Sequence, residues 1–252
     1  MPSTFTIHNV ASYTGASFPG DVSTSSFINF NLPLPPSLET SRIQLVPFLP
    51  SIHAEPFFSA YTASPSLDKY LPISLSTYPA LLSLVQDDIL KDKASVLFAI
   101  IDKTKGPNAD LTESLAGIIG LLHSSTKNRT IEIGPVIILP GFQGTFVSPN
   151  AVGALLKYLL DTPAQGGLGL RRVQWTANPE NQASVRAAQR MGFKLEGIMR
   201  WSWCLPQGKE GREVGEGGRG YEKGRDSAVL AVCWDDWENG GREHAEKLID
   251  RP

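Results

Sequence analysis

A proline inside the most strand-like stretch limits what this chain can build. Ile131-Glu-Ile-Gly-Pro-Val-Ile-Ile-Leu139 has the β-branched, apolar character of a core strand, yet Gly134-Pro135 interrupts its middle. Proline has no backbone N–H to give to a ladder, so the pair predicts a bulge or a place where pairing is released. Released backbone groups need another partner. Curvature of the sheet is the plainer reading of the same pair, and both stand at this point.

The pattern on either side is a mixed α/β one. Residues 42–46, 95–102, 115–124, 170–177 and 227–234 read as strands. Residues 53–93 read as helical, with breaks at Pro65, Pro72 and Pro79 and a polar end at Asp87, Asp88, Lys91, Asp92 and Lys93. The Gly106-Pro-Asn turn separates two of the strands. Ser148 and Pro149 suit the N-cap and first position of an apolar helix running to about residue 161, and Gly166-Gly-Leu-Gly169 closes that region. Trp201-Ser-Trp203 continues a strand into Pro206. Residues 207–226, Gly-rich and carrying both charge signs, read as a solvated, mobile loop. Residues 236–250 read as a closing helix. The expected organisation is an extended arm over 1–40, where Ser, Thr, Asn and Pro abound, one domain over 41–237, and a C-terminal helix over 238–252.

Composition narrows the partners. The chain has 252 residues, 41% of them hydrophobic, and a formal charge of -2, so there is core material and no electrostatic case for nucleic acid or an anionic membrane. No apolar run approaches the roughly 20 residues that span a bilayer. The N-terminal residues lack a basic region followed by an apolar one, and the two cysteines, Cys204 and Cys233, suit a reducing compartment; the expected location is cytoplasmic. Neither cysteine has zinc-site spacing, and no metal is expected. Phosphate-loop and dinucleotide glycine fingerprints are both missing from the sequence. His53 and His123 have no partner at triad-like or metal-ligand spacing, so no chemistry is assigned to them.

Residues 178–200 carry the most information: Asn-Pro-Glu-Asn-Gln-Ala-Ser-Val-Arg-Ala-Ala-Gln-Arg-Met-Gly-Phe-Lys-Leu-Glu-Gly-Ile-Met-Arg. They read as a loop with two asparagines, a short amphipathic helix, a Gly-Phe stop, and a strand that begins at an acidic turn. This order resembles the cofactor-binding half of the GNAT superfamily of N-acetyltransferases. It is most similar to the branch that acetylates α-amino groups of ribosomal proteins, where Asn-x-x-Ser, Gly-Phe and Glu-Gly recur. Arg171-Arg-Val-Gln-Trp175 taken with Arg200-Trp201 looks like uncharacterised fungal members of that branch.

The resemblance implies an acyl-CoA N-acyltransferase fold, a twisted, mostly antiparallel sheet with one splayed parallel pair and flanking helices. It implies acetyl-CoA as co-substrate, with the backbone of Val136 and Ile138 facing the pantetheine amides. It places the pyrophosphate at the 140–148 loop, where backbone amides and a helix N-terminus favour an anion. There Gly144 keeps the family position, while Gly141 stands where Gln or Arg belongs and Phe146 where Gly or Ala belongs. Thr145 and Ser148 hydroxyls offer partial compensation. Asn181 would bond the cofactor near its acetyl or pantetheine end, or simply cap a helix, and Ser184 would contact the cofactor from that helix. Arg186 and Arg190 share a face by i, i+4 spacing and would reach the adenosine 3′-phosphate or form a solvated basic face. Glu132 is the candidate base, directly or through a water, unless it is an ordinary exposed strand position. The tyrosine acid of many relatives is replaced here by Ala188. Trp175, Trp201 and Trp203 would wall an acceptor pocket or belong to the core. The implied activity is acetyl transfer to a primary amine, a protein N-terminus or a small molecule, in a ternary complex. A catalytically silent CoA-binding or interaction module is the alternative. Oligomeric state is unreadable.

Overall fold

A computed structural model describes residues 28–35 and 37–251, so expectations for residues 1–27 lie outside the described residues. The described residues include eight strands: β1 (Leu38–Glu39), β2 (Ile43–Pro47), β3 (Val96–Asp102), β4 (Leu115–Ser125), β5 (Thr130–Ile138), β6 (Arg172–Ala177), β7 (Lys194–Cys204) and β8 (Gly224–Cys233). They form one sheet in the order β1-β2-β3-β4-β5-β6-β8-β7. Every pairing is antiparallel except that of β5 with β6. The α-helices are α1 (Glu55–Thr62), α2 (Tyr78–Ser83), α3 (Leu111–Ser114), α4 (Val147–Leu160), α5 (Gln182–Arg190), α6 (Trp234–Asp236) and α7 (Arg242–Ile249).

Helices cover both faces of the sheet, and β3 shows why its sequence is apolar without interruption. Val96, Phe98 and Ile100 enter a core shared with α4, while Leu97, Ala99 and Ile101 enter a second core shared with α1 and α2. A strand buried on both faces has no polar side to show. In β5 the same alternation changes sense. Ile131 and Ile133 face the α4 core, but Ile137, still two-residue steps away in parity, faces the α1/α2 core. One extra residue between them inverts the facing.

Several local expectations are corrected. Pro79 begins a helix instead of breaking one: it is the second residue of α2, where a missing N–H costs no intrahelical bond, and the Thr77 hydroxyl accepts from the Ala80 amide at 3.3 Å. Ser148 and Pro149 are the second and third residues of α4, which starts at Val147. The hydroxyl at this start is that of Thr145, accepting from the Val147 amide at 3.3 Å. The closing helix is broken between α6 and α7, where Gly240 adopts φ 103°. Beyond the first strand expected from the pattern lies β1, and Asn31 N–H donates to the Lys93 carbonyl at 2.7 Å, so residues before 41 pack on the sheet. The 207–226 segment is tied down: Arg212 and Gly224 exchange backbone hydrogen bonds, and the Lys209 ammonium donates to both the carbonyl and the carboxylate of Asp68. The last strand consequently starts at Gly224.

Candidate active site at the splayed strand pair

The Gly134-Pro135 interruption acts where it stands. Leu121 pairs with Ile133 and Ile119 with Val136, so two steps along β4 match three along β5. This is a bulge, and the Gly134–Pro135 peptide within it is cis. Gly120 lies opposite; a Cβ there would fall 2.4 Å from the Gly134 carbonyl oxygen, so the close approach requires glycine.

On the other side of β5 the parallel pairing with β6 covers only Thr130, Ile131 and Glu132, opposite Arg172, Val173 and Gln174. Past that rung the strands diverge. Leu139 N–H donates to the Ala116 carbonyl on the β4 side, so by ladder alternation the N–H and C=O of Val136 and Ile138 point away from β4. The Ile138 carbonyl indeed accepts from the Gln143 side-chain amide at 2.9 Å. A cleft of about 440 Å³ opens at this divergence. Its walls are Glu132, Pro135 and Val136 on one side and Thr176, Asn178, Asn181 and Ser184 on the other, with the 70–73 segment, Asp88, Asp92, Trp203 and Arg225 closing the end.

Glu132 is not an exposed strand position; it is 8% exposed. One carboxylate oxygen accepts from Thr176 Oγ1 at 2.5 Å. The other accepts from Gln174 Nε2 at 3.1 Å and meets His123 Nδ1 at 3.2 Å. Burial pushes its pKa up, but the hydrogen bonds from His123, Thr176 and Gln174 and the His123 charge outweigh burial and hold it below the usual value. His123 moves the opposite way: the hydrogen bond to Glu132 raises its pKa, against partial burial, with Glu132 and Asp92 charges adding to the rise. Arg225 is buried at the cleft end and donates to the Tyr70 carbonyl at 3.2 Å and to Ser227 Oγ at 3.0 Å, which fixes the 70–73 wall against β8.

Asn181 caps α5, its side-chain oxygen accepting from the Ser184 amide at 3.1 Å, which leaves the side-chain NH2 for another acceptor. Ser184 Oγ accepts from Trp175 Nε1 at 3.1 Å and keeps its own proton to donate. Asn181 and Ser184 line the cleft together with Val136, whereas the 140–148 loop leads from the end of β5 to the start of α4. In that loop Gly144 takes φ 71°, which accounts for the glycine. The Thr145 hydroxyl donates to the Phe142 carbonyl at 2.6 Å, so it is spent inside the loop. The Phe146 ring packs against the α4 core with the Arg42 guanidinium 3.6 Å from its centre.

A sequence model of the family described as Acetyltransferase (GNAT) domain matches residues 42–194, more than half of the chain. The chain belongs to the GNAT acetyltransferase family. An uncharacterized N-acetyltransferase of Bacillus subtilis, YoaA, is 25% identical over 167 residues, covering 66% of this chain and 86% of the relative. Among solved structures, a GCN5-related N-acetyltransferase from Brucella melitensis superposes with TM-score 0.66 at 24% identity, covering 84% of each chain. Mycobacterium smegmatis RimJ, in complex with CoA-disulfide, superposes with TM-score 0.59 at 14% identity, covering 81% of this chain and 88% of its own. These two show the GNAT fold, with β5 and β6 as its parallel pair.

Within the GNAT frame the tryptophans divide. Trp175 is buried, edge-on to Phe193 at 5.8 Å, and also lines the cleft; Trp203 is exposed at the cleft; Trp201 is exposed, with the Arg212 guanidinium 4.6 Å from its ring centre. Ala188 lies on the buried face of α5, outside the cleft lining. Arg186 and Arg190 are exposed. His123, set aside for want of a partner, has one in Glu132, nine residues on across the β4–β5 pairing.

Proposed function

We propose that this GNAT protein transfers an acetyl group from acetyl-CoA to a primary amine by direct attack within a ternary complex. The observation that carries the reading is the outward backbone of Val136, lining a cleft whose opposite wall is Asn181 and Ser184; Ile138 is outside that lining and its carbonyl accepts from Gln143. An extended pantetheine arm has two amides, and a strand edge released from its neighbour offers matching donors and acceptors. The start of α4, fourteen residues long and preceded by Gly144, supports a pyrophosphate site through backbone amides and the helix dipole. Thr145 contributes there by shaping the loop, and Ser148 is the hydroxyl left to contact a phosphate.

Catalysis in this reading rests on holding amine and thioester together and on removing a proton from the amine. Glu132 supports the second role as part of a hydrogen-bonded group, since both of its oxygens are already engaged. The acceptor end, bounded by the 70–73 segment, Trp203 and Arg225, suits a primary amine on a protein N-terminus or a small molecule.

The test joins calorimetry with acetyl-CoA to a screen of amines that follows release of CoA thiol. Saturable binding and amine-dependent release are expected. Absence of binding at high ligand concentration sinks the acetyltransferase reading, and binding without release across the panel favours a silent CoA-binding module.

A further inference from the structure

Resting on that reading, we propose that His123 is the base that deprotonates the acceptor amine and that Glu132 is its positioning residue. Three observations bear on the assignment. Glu132 is buried and three partners, His123, Gln174 and Thr176, already bond its two oxygens, which favours its ionised form and weakens it as a proton acceptor. His123 lines the same cleft, bonds Glu132 through Nδ1, and has its side chain 69% exposed. With Nδ1–H donated to the carboxylate, the lone pair of Nε2 is the remaining basic site. Finally, His123 holds φ 53°, a left-handed conformation uncommon among residues other than glycine, and lines the cleft beside Leu122.

The proton inventory fits an exposed imidazole better than a buried carboxylate. A primary ammonium first loses one proton to His123 Nε2, freeing the nitrogen lone pair. That pair forms the bond to the thioester carbonyl carbon; collapse of the tetrahedral intermediate breaks the carbon–sulfur bond. The second nitrogen proton goes to the departing sulfur, giving amide and CoA thiol. His123 then returns its proton to solvent, which reaches it directly. The groups facing this imidazole are Glu132 from β5, Asp92 from the turn before β3, and Asp88 and Arg225 at the cleft end. Its two acidic neighbours of largest effect, Glu132 and Asp92, both favour the imidazolium and raise its pKa, which strengthens Nε2 as a proton acceptor.

The experiment is the pH dependence of kcat/KM for the wild type, His123→Gln and Glu132→Gln, using full-length protein and one amine from the screen, with acetyl-CoA affinity measured alongside. His123→Gln is expected to lower kcat/KM by about a hundredfold or more near neutrality. It is also expected to lose the acidic limb due to the enzyme, to keep acetyl-CoA affinity, and to regain rate with added imidazole. Glu132→Gln is expected to retain that limb but shift it to lower pH, because the carboxylate favouring the imidazolium is gone. The acceptor's own ionisation is common to all three proteins and cancels. If His123→Gln keeps wild-type rate and limb, the assignment is overturned; if Glu132→Gln alone abolishes the limb, the carboxylate is the base. A wild type that releases no CoA with any amine overturns the acetyltransferase reading itself, an outcome recognisable without either variant. Should Glu132→Gln fail to fold, His123→Asn and imidazole rescue still decide, since His123 is at the surface.

Discussion

The α-carbon of Gly120 sits so close to Gly134 across the β4–β5 pair that a Cβ would lie 2.4 Å from the Gly134 carbonyl oxygen and 3.1 Å from the Pro135 ring. The obstacle is backbone, which cannot rotate away. Gly120→Ala is expected to destabilise the protein by about 1–3 kcal/mol, the usual cost of overpacking, and to lower acetyl-CoA affinity by pushing β5 into the cleft. Urea unfolding and calorimetry check both; an unchanged midpoint would show that the bulge can move.

Asn181 has two ends with separable roles. Its oxygen caps α5, and its amide protons are free for a ligand. Asn181→Ala should cost about 1 kcal/mol through the lost cap, whereas Asn181→Asp, an equally good cap, should hold the melting temperature. Both should weaken acetyl-CoA binding. Retained affinity in Asn181→Asp would reduce Asn181 to a capping residue.

Asp68 joins three segments near the acceptor end. It accepts from Tyr61 Oη at 2.7 Å and the Leu75 amide at 3.3 Å, and it pairs with Lys209. Lys209→Met removes the charge while keeping much of the stem. The expected result is faster proteolysis within 207–223 and a higher KM for the amine, with acetyl-CoA affinity unchanged. Equal proteolysis rates in the two proteins would show that the pair does not restrain the loop.

The Glu132–His123 pair fixes a pH window for stability. The Glu132 pKa is lowered on folding, so its contribution is present above about pH 4.3 and is lost as pH falls through the depressed value. The His123 pKa is raised, so its contribution is whole below about pH 6.5 and fades as pH rises through the raised value. A double-mutant cycle with Glu132→Gln and His123→Gln should give its largest coupling between those limits and a smaller one at pH 9, where the neutral imidazole keeps the hydrogen bond but not the charge. Coupling that persists undiminished at pH 9 would mean that charge on the imidazole contributes nothing.

What could be read from the sequence was what is encoded locally. Gly134-Pro135 announces its bulge because proline lacks a donor wherever it stands, and Asn181 announces a helix start within three residues. The start of α4 is ambiguous in the sequence because two hydroxyl residues three positions apart, Thr145 and Ser148, offer the same signal; in the structure it is Thr145 that accepts from the Val147 amide. His123 was missed for a different reason. Strand alternation puts consecutive residues on opposite faces, so Leu122 and His123 should not share a cleft. A second irregularity, between Leu122–Ser125 on β4 and Thr130–Glu132 on β5, together with φ 53° at His123, brings both to the same side. Nothing in the residue types reports that irregularity. The tie between Lys209 and Asp68 spans 141 positions and was equally hidden.

The change of facing within β5 also bears on how faithfully this sheet can assemble. Before the bulge Ile131 and Ile133 belong to the α4 core, and after it the buried Ile137 and Leu139 belong to the α1/α2 core. Sliding β5 by one residue along β4 would withdraw Ile131 and Ile133 from one core and Ile137 and Leu139 from the other, and would carry the Glu132 carboxylate into apolar surroundings. Two cores therefore proofread one strand, and a mispaired hairpin finds no compensating fit on either side.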